Sequence, residues 1–153
     1  MLMSANTIAD AIRKKIIGDI KEHGQTVIGV MGDAKPSFAY SIGLTTQFNL
    51  EFLCIGLDPK YATSMVNHIA KEMRDGVELL LGIGDDRWAN METLFMEADD
   101  RAHDYVFQAD GFYGKKVRVV QIVMPDKAGI LPNQPGYNHA YMDKFQPLLF
   151  PLT

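Results

Sequence analysis

Between Phe38 and Leu57 the chain reads FAYSIGL, a short polar link, and EFLCIGL. Each half is a run of strand formers closed by Ile-Gly-Leu. Side chains on a strand alternate with a period of two. Phe38, Tyr40, Ile42 and Leu44 are therefore predicted to share one face, and the small residues Ala39, Ser41 and Gly43 the other. In the second half Leu53, Ile55 and Leu57 share a face, opposite Phe52, Cys54 and Gly56. Two such strands side by side present one bulky face and one largely shaved face. A shaved face admits another backbone, a helix or a flat ligand at close range.

The flanking segments supply what could cover these faces. Ser4, Asn6 and Thr7 are candidate N-caps for a helix over residues 6–23, whose apolar stripe runs through Ile8, Ile12, Ile16 and Ile20 and which Gly24 closes. Residues 25–31 are β-branched and apolar, hence a strand, and residues 32–36 are a turn. After the central pair, Asp58 as N-cap and Pro59 at the first helical position start a second helix. Its stripe of Ala62, Met65, Val66, Ile69 and Ala70 predicts burial up to a stop at Asp75-Gly76. Further strands are predicted over 77–83, 91–98 and 117–124, with a short helix from Asp99 to Gln108 and a helical turn over 138–145.

The expected architecture is one α+β domain over residues 1–153, with a mostly antiparallel sheet of about six strands able to curl into a partly open barrel. The two main helices pack on it. The apolar share of 47% and charged share of 22% are those of an ordinary globule. A net charge of −4 disfavours non-specific binding to nucleic acid. No apolar run reaches the roughly 18 residues that span a bilayer, so no membrane association is expected. The first residues place their basic side chains after the apolar ones, unlike a signal peptide. Cys54 is the single cysteine, which excludes an intramolecular disulfide and suits a reducing cytoplasm. The closing QPLLFPLT is too apolar to be solvated. It is expected to dock on the body or to form a homodimer.

Several segments together resemble an uncharacterised, mostly bacterial family, the domain of unknown function 4262. They are His23-Gly24, Val27 to Val30, the run from Phe38 to Leu44, Glu51, Gly56-Leu57, the Phe112-Tyr113-Gly114 corner, Val120 to Val123 with Pro125-Asp126, Gly129, Pro132, and Gln146-Pro147-Leu148. The chain departs from that pattern at Gln25, Met124 and Asn133, where the family commonly has tryptophan. It departs again at Phe48-Asn49-Leu50, which replaces a Gly-His-Pro-like stretch. The resemblance implies no activity. The central hairpin is also similar in pattern to that of flavin-binding split barrels.

Catalytic motifs are missing: the sequence has no HExxH, CxxC, Walker loop or GxSxG. His68 with Glu72, Asp99 with His103, and His139 with Asp143 are spaced for one helical face, but nothing fixes the third ligand that a catalytic metal wants. No metal and no particular cofactor is therefore expected. The residues singled out as a ligand site are Tyr40, Ser41, Gly43 and Asp126. Tyr40 and Ser41 bring hydroxyls to opposite faces of the central strand, Gly43 removes a side chain beside them, and Asp126 follows a proline that fixes the turn after the strongest strand. A buried Tyr40 hydroxyl needs a partner, for which Asp126 is a candidate. The expected function is a non-enzymatic binding or protein-interaction module. The alternative is a small-molecule site for a flavin- or nucleotide-like ligand at the central hairpin.

Overall fold

A computed structural model of the protein describes residues 5–33 and 36–152. The proposed cap Ser4, the turn residues Ala34 and Lys35, and the terminal Thr153 lie outside them. The elements in order are α1 (Ala5–His23), β1 (Thr26–Val30), β2 (Phe38–Ile42), α2 (Leu44–Phe48), β3 (Glu51–Ile55), α3 (Pro59–Arg74), β4 (Leu94–Glu97), a 3-10 helix (Asp100–Asp104), α4 (Phe107–Tyr113), β5 (Val119–Val123) and α5 (His139–Met142).

The fold is α+β around five strands in the order β1-β2-β3-β5-β4. The β1–β2, β2–β3 and β4–β5 pairs are antiparallel, whereas β3 and β5 run parallel at the centre. The sheet is thus mixed, and it is open: β1 and β4 are its edges. This corrects the expectation of about six strands able to curl into a partly open barrel, and places one parallel pair at the centre of a sheet whose other three pairs are antiparallel. The sixth strand was to be 77–83, which forms no ladder. Its Gly82 N–H donates to the Phe95 carbonyl at 2.9 Å, while Leu80, Leu81 and Ile83 stay exposed. Alternation of apolar residues gave the segment a strand-like pattern, but no second face was available to bury it. The parallel pair is joined by a long connection through α3, β4, the 3-10 helix and α4, since parallel neighbours cannot be joined by a hairpin.

The shaved face is filled by a helix. Ala39, Phe52, Cys54, Val120 and Ile122 pack against Ala62, Met65, Val66, Ile69 and Ala70 of α3, with Trp88 and Phe95 completing the layer. The opposite face, with Tyr40, Ile42, Leu53, Ile55 and Val119, is covered by Ile16 of α1 and by Ala102, Val106 and Ala109. The two main helices therefore sandwich the sheet. Leu44 and Leu57 do not continue their strands' bulky face as alternation predicts. Both join the α3 side, because positive φ at Gly43 (121°) and Gly56 (95°) turns the chain out of each strand first.

α3 starts as its sequence predicts, the Asp58 carboxylate accepting from Lys60 N at 2.9 Å with Pro59 next. The predicted helix from Asp99 to Gln108 is broken into the 3-10 helix and α4. Asp85 anchors the loop before β4: its carboxylate takes the Arg87 guanidinium and the Trp88 indole N–H, and the arginine holds it well below the usual carboxylate range, at about 2.

The tail folds back on its own chain. Gln121, fully buried in β5, donates to the Pro147 carbonyl at 2.8 Å and accepts from Leu149 N at 2.9 Å. Gln146 accepts from Met124 N at 2.8 Å and donates to the Met124 carbonyl at 3.0 Å and to the Tyr137 hydroxyl at 3.1 Å. Leu149 and Phe150 are buried by this docking, and Phe145 and Leu152 remain about half exposed. Among the described residues, no helix is long and apolar enough to cross a membrane.

Candidate functional site

Of the residues singled out from the sequence, Ser41 and Gly43 fall in one sealed polar cluster. Ser41 is fully buried; its hydroxyl accepts from Phe52 N at 2.9 Å and donates to Glu51 Oε1 at 2.7 Å. Glu51 is equally buried. Its Oε1 also accepts from Leu44 N at 3.2 Å, and its Oε2 accepts from Thr45 N at 2.7 Å and from the Thr45 hydroxyl. Burial holds the Glu51 carboxyl above the usual carboxylate range, an effect that its four donors offset only in part. The carboxylate caps α2 from across the hairpin, supplying the acceptors that α2's own N-cap, Gly43, lacks. A side chain at Gly43 would meet the Gly24 carbonyl at 2.8 Å and Gln25 Cα at 3.0 Å, so another backbone occupies the space the sequence left for a ligand. The Tyr113 hydroxyl is buried beside this cluster with no hydrogen bond of good geometry, although Thr45, Thr46 and the Gly43 backbone lie near it. Burial, then the Glu51 charge, raises its pKa.

Tyr40 and Asp126 are not partners. The Tyr40 hydroxyl accepts from Gln108 N at 3.3 Å. Asp126 accepts from Ala128 N, Ile130 N and Asn138 N, each at 2.9 Å, and these backbone donors lower its pKa. Tyr40 ties β2 to the start of α4, and Asp126 orders its own loop. Tyr40→Phe is expected to cost about 1 kcal/mol and Asp126→Asn about 1–3 kcal/mol. Their effects should add, as independent sites do. A coupling above about 0.5 kcal/mol in urea denaturation of the double variant would contradict the separation.

The histidine pairs are also spent locally. His103 Nδ1 lies 2.8 Å from Asp110 rather than against Asp99, which binds Arg101. His139 Nδ1 lies 3.3 Å from Asp143, and His68 sets its ring edge-on to Trp88. Among the described residues, no group of three or more histidine, cysteine or acidic side chains could hold a metal ion. The buried Cys54 thiol is pushed up to about 12 by desolvation, which leaves it inert as a nucleophile.

An open concavity lies elsewhere, beyond the C-terminal ends of the parallel strands β3 and β5. It holds about 510 Å³. Tyr61 from the first turn of α3, Met91, Met124, Met142, Phe145 and Asp58 shape its wall. Gly56 decides its geometry, because the Phe145 carbonyl sits where a Cβ would stand, so the tail backbone lies directly on the end of β3. Sequence reasoning missed this pocket. The signal available was Ile55-Gly56-Leu57, where the glycine that ends the strand is also the one on which the tail rests.

A family model described as Domain of unknown function (DUF4262) matches residues 19–138. No curated protein and no solved structure matches the chain.

Proposed function

The chain belongs to the DUF4262 family, a membership that carries no activity with it, and we propose that this member is a non-enzymatic binding protein whose ligand occupies the pocket beyond β3 and β5. The carrying observation is the wall itself: three methionines, Tyr61 and Phe145 around about 510 Å³. That volume lies in the range of small-molecule sites, roughly 300–1,000 Å³. Methionine side chains are flexible and polarisable and make favourable contacts with aromatic rings, so the wall suits an aromatic or otherwise apolar guest. Tyr61, Met91 and Phe145 are each about half exposed at the rim, an apolar investment that a solvated surface does not explain. The place also favours binding, since ligands of open sheets with parallel strands collect outside the strands' carboxyl ends. A flavin- or nucleotide-like guest fits less well. The single charged side chain in the wall, Asp58, has the sign of a phosphate.

Methyl-labelled methionine provides the test, because nine methionines report on different parts of the chain. Titration with small aromatic fragments should shift the methyl resonances of Met91, Met124 and Met142. Those of Met65 and Met73, on α3, should stay in place. Shifts confined to other methionines, or none across a chemically varied set, would overturn the assignment.

A further inference from the structure

We infer that the ligand of this pocket is an apolar amine, its protonated nitrogen held at Asp58 and its body among the methionines and aromatic rings. This rests on the pocket being the binding site and specifies the chemistry that the site selects. The polar side chains in the wall are Asp58, Tyr61 and Gln146. Gln146 is unavailable, both ends of its carboxamide being committed to Met124 and Tyr137. A guest entering the pocket therefore meets one carboxylate and one phenol. Asp58 is exposed and uses Oδ1 to accept from Lys60 N at 2.9 Å. An aspartate that caps a helix is fixed in direction, so its charge is presented to the pocket without the ordering cost that a free side chain carries.

The rest of the wall favours the same ligand. Ring faces attract cations through their quadrupole, and Tyr61 and Phe145 stand in the wall with Asp58. Thioether sulfurs are weak acceptors that tolerate a nearby positive charge. No lysine, arginine or histidine lines the pocket among the described residues, so no cationic side chain competes for the carboxylate; the opposing charge is the positive end of α3, which Asp58 caps through Oδ1. The chain's net charge of −4 adds a long-range field of the same sign. An anionic or purely hydrocarbon ligand of equal size would leave Asp58 either opposed or unused.

The probes are three molecules of one shape and different charge: phenethylammonium, phenethyl alcohol and phenylpropionate. Each is titrated into the full chain at low salt, with the methyl resonances of Met91, Met124 and Met142 as the readout. The ammonium compound should bind roughly three- to tenfold tighter than the alcohol, and the carboxylate weakest. Asp58→Asn should remove the preference while leaving the alcohol's affinity and the thermal midpoint nearly unchanged, because asparagine caps a helix as well as aspartate. Added salt should narrow the gap in the native chain and not in the variant. Equal binding of the ammonium compound and the alcohol, or a preference that survives Asp58→Asn, overturns the amine assignment while leaving the pocket as the site. If none of the three probes moves these methyls, pocket and amine fall together.

Discussion

Glu51→Ala should remove a large part of the chain's stability at 25 °C. The buried carboxylate is the acceptor for two backbone N–H groups, those of Leu44 and Thr45, and for the hydroxyls of Ser41 and Thr45. Hydroxyls can rotate toward other acceptors, but the two N–H groups point where α2 begins and have no alternative. Each buried group left without a partner costs about 1–3 kcal/mol, and the missing side chain leaves a cavity besides. A total of roughly 4–7 kcal/mol is a large part of the about 5–15 kcal/mol that holds an average domain together. Glu51→Gln keeps the volume but turns a donor toward donors, and should cost about 2–4 kcal/mol by the same reasoning. Urea denaturation followed by Trp88 fluorescence and by far-ultraviolet circular dichroism gives both numbers. A loss below about 1 kcal/mol for the alanine variant would mean that the carboxylate does not hold the hairpin.

The second large effect is expected at Gly56, and Gly76 provides its control. Both glycines have positive φ, 95° and 99°, but a Cβ at Gly56 would run into the Phe145 carbonyl, whereas nothing lies within 4 Å of one at Gly76. Gly76→Ala therefore carries only the backbone penalty, about 1–2 kcal/mol. Gly56→Ala carries that penalty and must also push the tail off β3, which raises the cost to about 3–5 kcal/mol. The displaced Phe145–Gln146 segment is a wall of the pocket, so affinity for aromatic fragments should fall with stability. The same loss of stability from the two substitutions would show that the tail does not rest on Gly56 in solution.

Sequence alone determined the elements with local causes. α3 is legible because Asp58 caps it, Pro59 fits its first position and its apolar residues recur at helical spacing. β2, β3 and β5 are legible because alternation and β-branching need no knowledge of neighbours. The period-two pattern also foretold a close-approach face at Ala39, and α3 fills it. Membership in the family was readable from scattered segments such as Phe38 to Leu44 and Gln146-Pro147-Leu148, the first of which lies inside the matched span and the second beyond it. Only the tertiary structure decided the rest. The parallel pairing of β3 with β5 depends on a crossover whose handedness and length no local pattern encodes. Glu51 looked like the polar start of a strand; its four donors come from residues six to ten positions away, brought round by a turn at Gly43. Tyr40 and Asp126 were paired on chemistry alone; Asp126 is satisfied by backbone donors of its own loop, and Tyr40 by Gln108 N of a helix 68 residues on. The pocket exists because Gln121 and Gln146 bind the tail along β5, about 25 residues on, and contacts across that separation are set by packing and not by spacing.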